Sequence, residues 1–527
     1  MSLRLTSSAL ALMVFAAPAF ADVTPEEVWQ SWVDYYKATG YTVTEGSHDL
    51  AGETLTIKDV KLSMASQTDD KVDMTVPQVT LTATGDGKVR TVHSDTMTIK
   101  FSGKSADDKP YTGELDVSMP GNEIVSSGTK EDLTHDLNFP TVEASLKNLK
   151  SADESAPPMN LKVGATNTTG QIHLTSGASP AYDYTTKSEK VSLEADGGEG
   201  ESKGSGKLSF NNVESSGKMS GLSADTNMQK DLAAAMDKGL NMNGTVKAGE
   251  GAFDFAGNEP ANAEADTPAK EFKGNGTFAG FDLTFGMSKD GLVYQGNSDK
   301  MTTELTSSDL PFPITYGIEG AAFDLQLPVS KGDQPQPFKV TYSLDKLTLG
   351  DDIWNLFDPT KQLPRDPASL DIDVTGNVKV LQSIFDPAFL KEAEAAGETD
   401  ATADADATDD TATADATPPS PYEALDVTIN QIALSAVGAS VSANGSLKPS
   451  ETAGMTAPVG KISARYEGVN GLIDKLAAMG YIPQDQLAGV RMMLAMFARP
   501  ADGKDVLTTD LEFKDDGAIF ANGQQVK

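Results

Sequence analysis

The chain has 527 residues, 77 acidic against 42 basic, a formal charge of -35 and no cysteine. Such a field repels nucleic acid and anionic surfaces and favours solubility, while the missing thiols exclude disulfide staples, cysteine nucleophiles and thiolate metal sites. Stability must come from burial, and a chain of this length has enough apolar material for a sizeable core.

Residues 1–21, MSLRLTSSALALMVFAAPAFA, carry one cation at Arg4, an apolar run from Ala9 to Phe20 and a small-x-small site at Ala19-Phe20-Ala21. That pattern predicts a cleaved secretory signal peptide and a periplasmic location. The run is shorter than the about 20 residues a bilayer span requires. No later stretch approaches that length, so no transmembrane anchor is expected after cleavage.

Residues 22–240 read as an opening helix followed by a β block. Thr24 is placed to cap a helix over Pro25–Thr39, with Pro at its first position, two glutamates in its first turn and Gly40 to end it. Its acidic polar face argues against a lipid-bound helix and for packing of Trp29 and Trp32 on a sheet. From Leu55 to about Phe210 the apolar period is two, as in half-buried antiparallel strands. Gly85-Asp86-Gly87, Pro120-Gly121-Asn122 and Asp196-Gly197-Gly198 supply turn chemistry. The apolar phase slips between Ile57 and Val60 and again across Pro77, where bulges or edge positions are expected. Gln229–Leu240 is a short helical patch.

Alternation resumes in a second β block, residues 241–390, through Phe281/Leu283/Phe285, Phe323/Leu325 and Val340/Tyr342. Residues 391–421 hold nine acids and almost nothing apolar, the composition of a disordered acidic linker. Its aspartates lack the glycine and terminal glutamate of an EF-hand loop. In residues 422–527, strands precede two helices, Val469–Gly480 and Gln484–Arg499, whose apolar faces are read as Leu472, Leu476, Leu487, Val490, Leu494 and Phe497; a terminal hairpin closes the chain. The fold expected is mainly β: one or two long antiparallel meander sheets, curved or groove-like, with an N-terminal amphipathic helix and a C-terminal helical pair.

Chemistry is sparse. Gly200-Glu201-Ser202-Lys203-Gly204 has the letters of a nucleophile elbow but no strand-to-helix context, and reads as a flexible loop. The four histidines, His48, His93, His135 and His173, lack metal-ligand spacing; His93 and His173 read as wet-face side chains and His135-Asp136 as a turn. No catalytic residue, metal site or cofactor is assigned. The most distinctive wording is Asp351–Val374, DDIWNLFDPTKQLPRDPASLDIDV, in which Trp354 and Phe357 read as a plug at one end of a sheet and Arg365 as its tie to Asp358 or Asp366. The same Trp354, Phe357 and Arg365 form the candidate partner hot spot if they face outward.

The words W-N-L-F-D-P and L-P-R-D-P-A-S-L-D-I-D-V-T-G, with the signal and the Trp-rich helix, resemble an uncharacterised family of exported Gram-negative bacterial proteins, a domain of unknown function, across essentially the mature chain. The C-terminal L-E-F-K-D-D-G-A-I-F-A-N-G is more loosely similar to YdgA-like periplasmic proteins, and the long alternating strands look like the AsmA-like group. The first resemblance implies no assigned activity. The looser ones imply elongated open sheets in the cell envelope, some linked to lipid traffic, although this chain lacks their retained anchor. The expected function is non-enzymatic: a periplasmic envelope protein that holds a lipid or other amphiphile on a concave sheet. The alternative is a structural protein with a closed β core that binds an envelope protein partner.

Overall fold

The computed structural model describes residues 23–65, 70–104, 109–151, 159–177, 180–199, 202–221, 228, 231–261, 268–390, 420–451 and 453–527. The expected signal peptide and nearly all of the expected acidic linker lie outside these residues. Among the described residues, 29 strands join one sheet, and each pairing is antiparallel. Several rows of the ladder consist of two short strands end to end, so the sheet has about 20 rows and, at ~4.8 Å per row, a length of roughly 95 Å along its hydrogen bonds. The ladder runs without a break across positions 240 and 241, where Glu214–Ser220 pairs with Asn241–Lys247. It also joins the two sides of the acidic segment, through Ala368–Val380 and Tyr422–Ala436.

A line of irregularities crosses this sheet lengthwise. In the strand Thr54–Ala65, Leu55 and Ile57 stand at odd positions and Val60 and Leu62 at even ones, yet all four are buried. The reconciling residue is Asp59, whose φ of 51° reverses the side-chain alternation while the ladder to Lys71–Ala83 keeps its register from Lys58–Gln78 to Val60–Val76. The slips expected at Ile57–Val60 and across Pro77 are therefore one event in two facing strands, and neither a bulge nor an edge position. The same parity change recurs at Asn167 and Asn212, with φ of 47° and 51°, and at Lys346, with φ of 52°. Between these positions it takes the form of chain breaks at residues 249–250, 279–280 and 299–300, where one strand ends and a collinear one begins. Aligned row after row, these parity changes crease the sheet into two arms while keeping apolar side chains on one face of both; only the one at Lys346 coincides with a register shift.

Among the described residues, helices border this sheet. Helix α1, Pro25–Ala38, starts at a complete capping box between Thr24 and Glu27 and stops before Gly40, φ 99°. It lays Val28, Trp29 and Val33 on Leu55, Ile57, Leu81 and Val89, closing the first rows into a core. Helix α2, Leu232–Asp237, is capped by Asp231 and shields one long margin, where Met236, Leu240, Met287 and Val329 cluster. Helix α3, Asp351–Phe357, follows the strand Gly332–Leu349. Helices α4, Val469–Ala478, and α5, Gln484–Phe497, connect Gly454–Glu467 to Val506–Phe513. The buried positions of α4 are Ile473 and Ala477, one residue beyond the expected Leu472 and Leu476, because Gly468, φ 72°, turns the chain before the first turn and fixes the helix phase. In α5 the expected Leu487, Val490 and Leu494 are half-buried, whereas Phe497 is exposed.

Candidate functional site: an uncovered apolar lane

The side chains of one face line up from row to row. Across the registers, Tyr184 stands opposite Gly217, then in turn come Gly244, Phe285, Tyr294, Leu325, Val340, Val374, Ile429, Gly445, Ile462 and Leu511. That lane of small and apolar side chains runs roughly 50 Å at ~4.8 Å per row. A parallel lane on the second arm joins Val163, Leu193, Leu208 and Phe253. The opposite face carries cross-strand ion pairs instead, including Lys187 with Glu214 at 2.7 Å, Lys218 with Asp183 at 3.3 Å and Lys247 with Asp282 at 3.3 Å. These pairs are exposed and contribute little stability. Their effect is to mark which face is wet.

The lane floor has a specific construction. Gly217 lies under Tyr184, Gly274 under Phe255, Gly276 under Phe253 and Gly296 under Phe323, each across one strand pairing, and a Cβ on any of these glycines would sit inside the facing ring. Rings thus lie flat over backbone that has no side chain, which supports glycine-containing strands and leaves a smooth apolar floor. Little covers it. Phe285 is 36% exposed, Tyr294 42%, Tyr342 41% and Leu434 50%, whereas Leu55 and Leu81 beneath α1 are 0%. Large exposed apolar patches of this kind mark binding surfaces in soluble proteins.

The distinctive stretch buries three residues, Trp354, Asp358 and Leu363. Trp354 is 6% exposed, and α3 is seated where Gly350 N–H donates to Thr315 O, at the end of the shorter arm. Phe357 packs on Trp354 with ring centroids 5.0 Å apart, and Arg365 lies 5.6 Å over the Trp354 ring. Arg365 pairs with Asp351 rather than with Asp358 or Asp366. Asp358 is occupied elsewhere: fully buried, it accepts the backbone N–H groups of Gln362 and Leu363, both at 2.8 Å. Burial alone would raise its carboxyl, but those two N–H groups and the nearby Arg365 hold it below the usual range. Trp354, Phe357 and Arg365 thus pack on one another as a plug would, and Leu356 is the exposed member of the helix.

Two histidines sit elsewhere than expected. His135 is in the strand Asp132–Ser151, fully buried, with the Trp32 ring tilted against it at 4.5 Å and Nδ1 2.8 Å from Ser126 Oγ. Burial pushes it down to about 4, and its Nε2 has no hydrogen-bond partner. His93 stands opposite Val79 on the apolar face, and burial lowers it too. The odd apolar parity of Leu133, His135 and Leu137 was the missed signal for His135. His173 lies on the wet face as expected, 2.6 Å from Asp132. Ser202 and Gly204 belong to the strand Ser202–Ser220, paired with Glu199 and Gly197 at the tip of a long hairpin. No helix follows them, and the extension of the ladder replaces the expected loop. Among the described residues no group of three or more His, Asp or Glu could hold a metal ion, and no helix is long and apolar enough to cross a membrane.

Residues 271–523 match the model of a family described as an uncharacterized protein conserved in bacteria, DUF2125. This part of the chain, just under half of its length, is similar to that family. The DUF2125 region starts inside the strand Lys270–Phe278 and holds the Trp354–Gly376 wording that carried the resemblance, but not α1 or the long hairpins between residues 132 and 220, so it is narrower than the mature-chain match expected. It contains most of the open lane, from Phe285 to Leu511, together with the α3 plug and the α4–α5 pair. No curated protein and no solved structure matches the chain.

Proposed function

We propose that the protein is a non-enzymatic, exported envelope protein that holds a lipid or similar amphiphile on the apolar face of its creased sheet. The observation that carries this reading is the continuous lane of small and apolar side chains, exposed along its middle and bounded by helices only at its margins and first rows. Burying apolar surface at about 25 cal/mol per Å² is favourable for any chain-like apolar ligand that fits, and an acyl chain needs no hydrogen bonds from the floor. The location rests on the signal-like residues 1–21. The non-enzymatic reading rests on the want of a third group beside Ser126 and His135 and on their complete burial under Trp32. The alternative, a scaffold with a closed core, is supported by the packed rows beneath α1 and by the cluster around Met236 and Val329.

Native mass spectrometry of gently purified protein, followed by organic extraction, tests the proposal. A co-purifying amphiphile that is lost in Phe285→Asp supports it. An empty protein that also fails to take up phospholipid from mixed micelles overturns it.

A further inference from the structure

Helix α5 departs from the other helices: none of its residues is buried. Leu487, Val490 and Leu494 form its half-buried stripe, spaced to face the protein, and the remaining apolar residues of its second half point away. Met492 is 68% exposed, Met493 58%, Met496 54% and Phe497 40%. At 100° per residue Met492 and Met496 lie opposite the stripe, Met493 lies to one side of them, and Phe497 closes the arc next to Val490. A helix apolar on both sides is ordinarily enclosed by protein or by lipid.

The mount is firm. Arg491 pairs with Asp474 of α4, Asn522 donates to Phe497 O at 2.9 Å, and Arg499 reaches Asp510 at 2.8 Å. Tyr481, in the turn before α5, donates to Phe357 O of the plug at 2.9 Å. The patch is therefore a fixed outer surface of the fold.

Charge and position together select its occupant. In a chain with 77 acids, residues 486–500 contain none and hold two arginines, each paired with one aspartate, so nothing in the patch repels a phospholipid surface. The helix also sits on the connection between the rows that end the open lane, next to Tyr466 and Leu507 on the apolar face. The other end of the sheet is closed by α1. Long unbranched methionines with a neighbouring Phe suit an irregular, fluid partner, and an interfacial helix of this sort buries its apolar side at the headgroup boundary.

We propose that α5 seats the protein on a phospholipid bilayer, with Met492, Met493, Met496 and Phe497 entering the headgroup boundary and bringing the open end of the lane to the membrane. The choice of a bilayer over another apolar partner rests on the amphiphile reading of the lane. Because both arginines are already paired, the attraction is mainly apolar, and salt acts by screening the repulsion between the acidic chain and an anionic surface, so binding holds or strengthens as salt rises.

Flotation of the full chain with vesicles of phosphatidylethanolamine and phosphatidylglycerol tests it, beside a Met492→Ser/Met493→Ser/Met496→Ser variant and a Phe285→Asp variant. All three substituted methionines are exposed, so an unchanged melting temperature is expected and serves as the folding control. The expected result is vesicle binding by the unaltered chain, weakened about tenfold or more by the triple substitution, the equivalent of about 1.4 kcal/mol, and kept by Phe285→Asp. Equal binding by the triple variant, or no binding by the unaltered chain, overturns the proposal. So does a concentration-dependent dimer abolished by the triple substitution without vesicle binding, which would assign the patch to a second copy. Uptake of phospholipid from mixed micelles is read separately: its loss in Phe285→Asp with flotation intact separates the lane from the seat.

Discussion

The first rows of the sheet and its middle rows are written in the same alternation, yet they end in opposite states. Beneath α1, Leu55, Ile57, Leu81 and Val89 are fully buried among Val28, Trp29 and Val33. Ten rows further on, Phe285, Tyr294 and Tyr342 present comparable apolar surface to solvent. Strand alternation determines that a face is apolar; whether that face becomes core depends on whether a neighbouring segment supplies a lid. Here the lid is one helix of 14 residues, Pro25–Ala38, on a sheet several times wider than it can cover.

The contrast can be broken by substitution. Trp29→Ala in the closed end and Trp354→Ala in the plug should each lower stability by about 3 to 5 kcal/mol, and Leu81→Ala by about 2 to 5, measured by urea unfolding. Phe285→Ser or Leu193→Ser in the lane should change stability by less than about 1 kcal/mol, while lowering amphiphile occupancy. Equal losses in both regions would mean that the middle rows are covered in solution and that the two ends do not differ.

Acid provides a second, intermediate probe of the closed end. His135 titrates at about 4 when folded and near 6.5 when unfolded. Between those values the unfolded chain binds the proton and the folded chain does not, so stability falls as pH drops from about 6.5 to about 4, by up to about 3 kcal/mol. His93 acts in the same direction. His135→Gln should flatten that acid limb in thermal melts followed across pH. A limb unchanged in the variant would place the acid sensitivity elsewhere.

The smallest effect concerns the tether of α1. His48 bonds Glu45 at 2.7 Å and Glu26 at 2.9 Å, and the bond to Glu45, then that to Glu26, raises it above its ordinary value despite the opposing effect of desolvation. Its contribution is fully present below about pH 6.5 and is lost as pH rises through the raised value. Being half exposed to screening water, the tether should be worth less than about 1 kcal/mol, visible as faster hydrogen exchange in α1 when His48→Gln is compared with the unaltered chain at acidic pH.

Much of the architecture was legible in the residues. Period-two runs gave antiparallel strands, and Thr24, Pro25, Glu27 and Gly40 gave α1 nearly to the residue. The slip between Ile57 and Val60 suggested a bulge or an edge position, whereas the ladder keeps its register past Asp59, and read as a local fault the slip concealed the crease. Only the recurrence of that parity change at Asn167, Asn212 and Lys346 makes a line across the sheet, and recurrence becomes spatial only once the register aligns the rows. His135 was misplaced for the same reason: a polar side chain at an apolar parity looks like a turn until Trp32, about a hundred residues earlier, packs on it. The partner of Arg365 was missed because Asp358 is captured by backbone N–H groups, a competition that sequence spacing does not show. The openness of the lane was not legible at all, since exposure depends on which segments fold over a face rather than on the face itself.

Photo-crosslinking from single positions tests the central claim most directly. A benzoylphenylalanine placed at Phe285 on the lane and another at Asp282 on the ion-paired face report what touches each side of the same strand in purified protein loaded from phospholipid mixed micelles. The account predicts a phospholipid mass adduct at position 285 and none at 282. Adducts at neither position, or equally at both, would contradict it.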